Sequence, residues 1–158
     1  MMPHGVGVRR SWWQPWAALS GFAFLLHFLW EMAQTPFYAG MPGSRHWDAV
    51  LQCGWATAGD VVIVLCSYAA VAIATRQQYW LEKSWGWRLS AYLLIGLGVT
   101  ILLEWLNVYL WGRWAYAPSM PTLLGVGVTP LVQWIALPPL NLWLALRHLG
   151  PAAPVAGS

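Results

Sequence analysis

The chain has 158 residues, of which 59% are hydrophobic and 8% charged, with a net charge of +3 and fourteen Trp. A soluble domain carries about a quarter charged residues, so a domain wetted on every side is excluded and an integral membrane protein is expected. The basic residues are scattered through loops and form no stripe that tracks phosphates, so no nucleic-acid partner is expected.

A hydrocarbon core of ~30 Å needs ~20 helical residues, and four segments meet that length. The first runs from about Trp16 to Gln34. It follows Arg9-Arg10, but it is long for a signal-peptide core, carries Glu31 and is followed by no A-x-A site, so an uncleaved helix is expected. The second runs from about Gly54 to Thr75, the third from Leu89 to Leu110 and the fourth from Leu123 to Leu146. These runs are continuous rather than alternating, and in lipid only helices or closed barrels satisfy the backbone. The expected fold is therefore all-α: an integral membrane four-helix bundle over residues 1–150, followed by a short disordered tail at 151–158. Pro130, Pro138 and Pro139 each remove a donor from the fourth segment and predict a kink there. Trp12, Trp13, Trp16, Trp80, Trp85, Trp87, Trp111 and Trp114 flank the apolar runs, where indoles sit at membrane–water boundaries.

Arg9, Arg10, Arg76, Lys83, Arg88 and Arg147 fall on one side of the four segments, and Arg45 and Arg113 on the other. That bias predicts cytoplasmic termini in a bacterial inner membrane, with the loops Pro36–Trp55 and Gly112–Thr122 outside. Cys53 and Cys66 form no C-x-x-C pair, and Cys66 reads as a small buried apolar residue.

Three acidic residues, Glu31, Asp60 and Glu104, stand inside the apolar stretches. A charge at that depth costs several kcal/mol, so these residues are the default site. His27, Glu31 and Gln34 follow i, i+4, i+7 spacing and share a helix face. Gly96, Thr100 and Glu104 also recur every fourth residue, the small-residue spacing that marks a packing face. Ala56 with Asp60, and Gly125 with Thr129 and Gln133, repeat that pattern. Asp60 falls in the first turns of the second segment, Asn107 lies a turn beyond Glu104, and Arg113 sits just above the third segment. Glu31, Glu104 and Gln133 are thus expected to converge in the outer half of the bundle, with Asp60 at its rim. The inner half offers Ser67, Tyr68, Ser90 and Asn141, none ionisable at neutral pH.

Each residue also has a structural reading. His27 can donate to Glu31 one turn away. Glu104 can accept from Gln133, Tyr109 or Arg113 as interhelical glue, and Asp60 can be held by a helix dipole. His27 and Glu31, even with His46 and Cys53 nearby, do not make a metal motif, so no metal or cofactor is expected.

The runs HFLWEMAQTPFY, CGWATAGDVVIV and EWLNVYLWGRWAYAPSMPTLLGVGVTPLVQWIALPPL resemble a group of small bacterial four-span membrane proteins, a likeness that implies the fold and no reaction. His27, Glu31 and Glu104 are also similar to the EXPERA membrane domain of emopamil-binding-type sterol isomerases. That second resemblance implies a His and two Glu in a lipid-accessible bundle.

Three functions follow from these features. The first is a pocket that binds a membrane lipid or other hydrophobic small molecule, isoprenoid or polyene, and protonates or isomerises it. Glu31, Glu104 and His27 would act as the catalytic groups, since a desolvated Glu can stay protonated near neutral pH and act as a general acid. Asp60, Asn107, Arg113, Gln133, Trp30, Trp105 and Trp134 would bind the ligand, the indoles by cation–π contact with a developing carbocation. Adjacent helical residues point ~100° apart, so Trp30 need not share the face of Glu31. The second function is a non-catalytic subunit or assembly factor of a larger membrane complex. The third is a small proton- or cation-coupled transporter working as a homodimer.

Overall fold

The computed structural model describes residues 11–41, 43–83 and 85–150; His4, Arg9, Arg10 and the expected tail lie outside them. The protein is all-α with four long helices: α1 Gln14–Gln34, α2 His46–Thr75, α3 Gly86–Trp105 and α4 Val128–Leu149. A π-helical turn, Leu106–Leu110, extends α3, and a two-stranded hairpin pairs β1 Thr122–Leu123 with β2 Val126–Gly127.

Local chemistry sets the ends. Pro15 opens α1, where its missing N–H is no loss. Asp48 occupies the first turn of α2 and takes two hydrogen bonds from Arg45, at 3.0 and 3.3 Å. That turn starts α2 at His46, eight residues before the expected Gly54, and so moves Asp60 from the helix start to its middle. At the other end of α2, Arg76 adopts the left-handed conformation (φ 53°) and Gln77 N–H reaches back to Ala72 O at 3.0 Å, which stops the helix.

Residues Leu123–Gly127, expected as the start of the fourth helix, instead form the hairpin. Leu124 (φ 51°) and Gly125 (φ 83°) both take positive φ, the conformation a two-residue hairpin turn requires. Tyr109 Oη donates to Gly125 O at 2.6 Å and pins that turn. Gly125 therefore does not share a helix face with Thr129 and Gln133. Pro130 falls in the first turn of α4, where no intrahelical donor is lost, and the helix continues through Pro138 and Pro139.

Each helix packs on its neighbours in sequence, and α4 closes back on α1, giving an up-and-down bundle with α1 and α3 on the diagonal. The interior is layered. At the end nearest the start of α1, Leu19, Tyr68, Val71, Trp80, Tyr92 and Leu142 pack together, with Trp80 stacked on Tyr68 at 5.0 Å and donating to Tyr68 O. Ala23, Ile63, Val64 and Trp134 form the next layer. The polar residues lie beyond it.

Three helical stretches are long and apolar enough to cross a membrane: Gln14–Phe37, His46–Thr75 and Gly86–Leu110. Only 22, 33 and 22% of their most apolar windows is buried inside the bundle, so most of that apolar surface faces outward. α4 is 22 residues long but is not among them; Pro130, Gln133, Pro138, Pro139 and Asn141 lower its mean hydropathy. Two smaller expectations also change. Ala56 is exposed, the inward face of α2 being carried by Cys53, Thr57 and Val64, and Cys66 faces outward while Cys53 is the buried cysteine.

Gly96 allows α3 to meet α4. A Cβ there would lie 2.1 Å from Trp134 Cζ3, whereas one at Gly98 meets nothing within 4 Å. Gly96→Ala should destabilise the bundle by about 1–3 kcal/mol through overpacking, and Gly98→Ala should leave it unchanged or up to about 1 kcal/mol more stable. Denaturant unfolding of the two variants in detergent micelles checks this; equal stabilities would contradict the close α3–α4 contact.

Candidate functional site

The inward faces of α1, α2 and α4 meet at a single polar layer. His27, on α1, is fully buried. Its Nδ1 lies 3.1 Å from Asp60 Oδ2 on α2 and 2.8 Å from Gln133 Nε2 on α4. Gln133 Nε2 is in turn 2.8 Å from Asp60 Oδ2 and 3.4 Å from Glu31 Oε1. Gln34 Nε2 donates to the same Glu31 oxygen at 2.7 Å, and Trp30 Nε1 donates to Gln34 Oε1 at 3.1 Å. His27 thus pairs with Asp60 and Gln133 rather than with Glu31, its neighbour one turn away.

Glu104 forms the second part of the layer. Gly96, Thr100 and Glu104 all point inward on α3, as their spacing predicts. Glu104 Oε2 accepts from Tyr116 Oη at 2.6 Å and from Trp114 Nε1 at 3.5 Å, not from Gln133, Tyr109 or Arg113. Tyr116 is brought there by the loops. Ala39 N–H donates to Ala115 O at 2.8 Å and Ala117 N–H to Phe37 O at 2.9 Å, so the chain after α1 and the chain after α3 pair across Tyr38 and Tyr116. The Tyr38 and Tyr116 rings lie 5.8 Å apart and cap the layer.

Tyr38 joins the two parts. Burial pushes its phenol well above the ordinary value, and the neighbouring charges of Glu104, Glu31 and Asp60 push the same way. Burial and the hydrogen bond to Glu104 raise Tyr116 as well. Glu31, Asp60 and Glu104 therefore share one electrostatic environment. Among the described residues no Lys or Arg forms an ion pair with any of them. Around this layer, five buried polar atoms have no hydrogen-bond partner: His27 Nε2, Thr57 Oγ1, Thr100 Oγ1, Asn107 Oδ1 and Trp134 Nε1. Native proteins leave few such atoms; a buried polar atom of this kind ordinarily pairs with ordered water, an ion or a ligand group.

The triangle of His27 Nδ1, Asp60 Oδ2 and Gln133 Nε2 has a specific chemical property. An unprotonated Nδ1 accepts from the Gln133 amide but then faces the Asp60 carboxylate lone pair at 3.1 Å. A proton placed between His27 and Asp60 removes that repulsion, while the Gln133 amide continues to donate to Asp60 Oδ2. Three side chains from three helices thus meet in one buried polar triangle.

Several expected residues stand elsewhere. Arg113 is exposed and lies over the Trp111 ring at 4.8 Å, away from the carboxylates. Trp105 is half exposed and packs on Tyr109 at the surface. Trp30 reaches the layer only through Gln34. Trp134 is buried, 5.8 Å from the His27 ring, and is the one indole of the three that faces the interior beside the site. Asn107 is buried in the π-turn, and its Nδ2 donates to Leu103 O at 2.7 Å. Gln34, Tyr38, Trp114 and Tyr116 were not among the expected site residues. Gln34 shared the face of Glu31; the other three come from loops that only tertiary pairing joins.

Two surface grooves, of about 510 and 380 Å³, lie between α1 and α4 and between α3 and the hairpin. Neither is lined by a carboxylate. Among the described residues no group of His, Cys, Asp or Glu can hold a metal ion. No protein-family model, curated protein or solved structure matches the chain.

Tyr116→Phe removes the shortest bond to Glu104 and should destabilise the fold by about 1–3 kcal/mol. Because folding raises the Tyr38 and Tyr116 pKa values, their contribution is full below pH ~10 and is lost as pH rises further. The variant should therefore lose stability less steeply in alkali than the parent. Unfolding measured from neutral pH to pH ~11 checks both; identical curves would contradict the Tyr116–Glu104 contact.

Proposed function

We propose that the protein is an integral membrane protein whose buried layer of Glu31, Asp60, Glu104 and His27 binds a hydrophobic, lipid- or isoprenoid-like ligand and exchanges a proton with it. The observation that carries this reading is the His27–Asp60–Gln133 triangle, a proton cradle inside an otherwise apolar bundle. General acid or base catalysis requires a proton held within hydrogen-bond reach of a ligand, in a place from which water is excluded. The five unpartnered polar atoms supply contacts for a polar head, and the outward apolar faces of α1, α2 and α3 suit a ligand that arrives from lipid. Protonation or isomerisation of a double bond is the reaction this favours. Glu104 would be released for it when the Tyr38–Tyr116 cap moves aside, and Trp134 is the indole placed to face a developing positive charge.

In this reading all four helices cross the bilayer, with α4 bent at Pro138–Pro139 and sheltered by its neighbours, and both termini are cytoplasmic in the inner membrane. A reporter fused to the C-terminus should be active only in the cytoplasm; periplasmic activity would reverse the orientation.

One observation favours a second reading, a non-catalytic subunit of a membrane complex: neither of the two surface grooves described above reaches a carboxylate. The two readings separate on Glu104→Gln and Glu31→Gln. Gln keeps size and hydrogen bonding but cannot supply a proton. Both variants should fold while losing the lipids that co-purify with the parent, read by mass spectrometry of the extracted protein. If the carboxylates are only glue, each variant costs about 1 kcal/mol or less and the lipid profile is unchanged.

A further inference from the structure

Gln133 joins α4 to both α1 and α2, and it is 2% exposed. Its Nε2 faces three acceptors: His27 Nδ1 at 2.8 Å, Asp60 Oδ2 at 2.8 Å and Glu31 Oε1 at 3.4 Å. The two carboxylates fix which way the amide is turned. With its ends exchanged, the amide oxygen would sit against an oxygen of each carboxylate, acceptor against acceptor.

That orientation decides the His27 tautomer. A separation of 2.8 Å between two nitrogens is a hydrogen-bond length and requires a hydrogen between them. An amide nitrogen donates and does not accept, so the hydrogen belongs to Gln133 and Nδ1 is bare. The second amide hydrogen goes to Asp60 Oδ2, which lies 3.1 Å from the same Nδ1. One amide NH₂ thereby bridges two acceptors that would otherwise repel. The hydrogen of the neutral ring then sits on Nε2, which is buried and has no partner among the described residues.

Trp134, the next residue of α4, is 1% exposed and its ring lies 5.8 Å from the His27 ring. Its Nε1–H is unpartnered too, and an indole N–H can only donate. Of the other unpartnered atoms, the Thr57 and Thr100 hydroxyls can donate or accept, and Asn107 Oδ1 stands in the π-turn beyond Glu104. Three carboxylates without a Lys or Arg partner would by themselves suit a cation. Each already meets neutral donors: Gln34 and Gln133 for Glu31, Gln133 for Asp60, Tyr116 and Trp114 for Glu104. The unmet groups on the two neighbouring rings are N–H donors.

We propose that Gln133 is a positioning residue that holds His27 as the Nε2–H tautomer. His27 and Trp134 then both offer donors, and the ligand they meet carries an oxygen acceptor, a hydroxyl or carbonyl, rather than an ammonium head. The ligand half of this inference rests on reading the layer as a ligand site; the tautomer does not.

Long-range ¹H–¹⁵N NMR of ¹⁵N-histidine-labelled protein in micelles identifies the ring nitrogen that carries the hydrogen. A His27→Gln spectrum picks out its signal among the four histidines. The parent should carry the hydrogen on Nε2. Gln133→Met, similar in size but without a donor, should move it to Nδ1, which then faces only Asp60 Oδ2. A hydrogen on Nδ1 in the parent, alone or with one on Nε2, would overturn the proposal. So would an unchanged tautomer in Gln133→Met, since a merely structural Gln133 would lower stability and leave the tautomer alone. If Gln133→Met does not fold, the parent spectrum decides. Farnesol, an isoprenoid alcohol, should shift the parent Nε2 signal more than farnesylamine, its ammonium counterpart. An equal or larger shift with the amine would overturn the acceptor requirement. No shift with either, where the hydrogen is on Nε2, would count against the ligand-site reading alone.

Discussion

The bundle is arranged around the cost of placing three carboxylates in a largely apolar interior where, among the described residues, no Lys or Arg pairs with them. An ion moved from water into an apolar interior loses far more solvation than a distant partner returns. Among the described residues the usual remedy, a buried Arg or Lys, is not used; Arg113 lies at the surface over Trp111 instead. The protein supplies neutral donors in its place. Gln133 and Gln34 serve Glu31 and Asp60, Tyr116 and Trp114 serve Glu104, and the His27 imidazole lies against Asp60. A layer compensated by neutral donors keeps its capacity to change protonation state, whereas a fixed Arg pair would suppress it.

The rest of the architecture serves that layer. Gly96 lets Trp134 sit flat against α3, and Trp134 separates the carboxylates from the aromatic floor of Tyr68, Trp80 and Tyr92. Above, a short backbone pairing between residues 37–39 and 115–117 sets Tyr38 and Tyr116 as a cap. The floor is tightly packed and holds the helices in register. The cap rests on a few hydrogen bonds between loops. Local opening belongs at the weaker end.

Much of this was legible in the residues themselves. The i, i+4, i+7 spacing of His27, Glu31 and Gln34, and the Gly96–Thr100–Glu104 repeat, set two inward faces, and the structure has both. Asp60 proved central rather than peripheral because the polar stretch around Asp48 starts α2 earlier than an apolar run reveals. Leu123–Gly127 looked helical because hydropathy cannot distinguish a hairpin from a helix; the positive φ of Leu124 and Gly125 decides it. The partners of Glu104 were hidden for a different reason. Tyr38 and Tyr116 are 78 residues apart, and their meeting depends on backbone pairing that no local pattern records. Gln133 was rightly placed inward, but it reaches His27 on the adjacent α1 and Asp60 on the diagonal α2 rather than Glu104 on the adjacent α3, a choice that spacing along one helix does not record.

The central claim is that Glu31 on α1 and Asp60 on α2 belong to one proton-sharing unit and not to two separate structural contacts. A double-mutant cycle on unfolding free energy, using Glu31→Gln, Asp60→Asn and both together, tests this most directly. Groups joined through Gln133 and one proton should be coupled by about 0.5–3 kcal/mol. Effects that add to within about 0.3 kcal/mol would mean the two carboxylates act independently and would contradict the account.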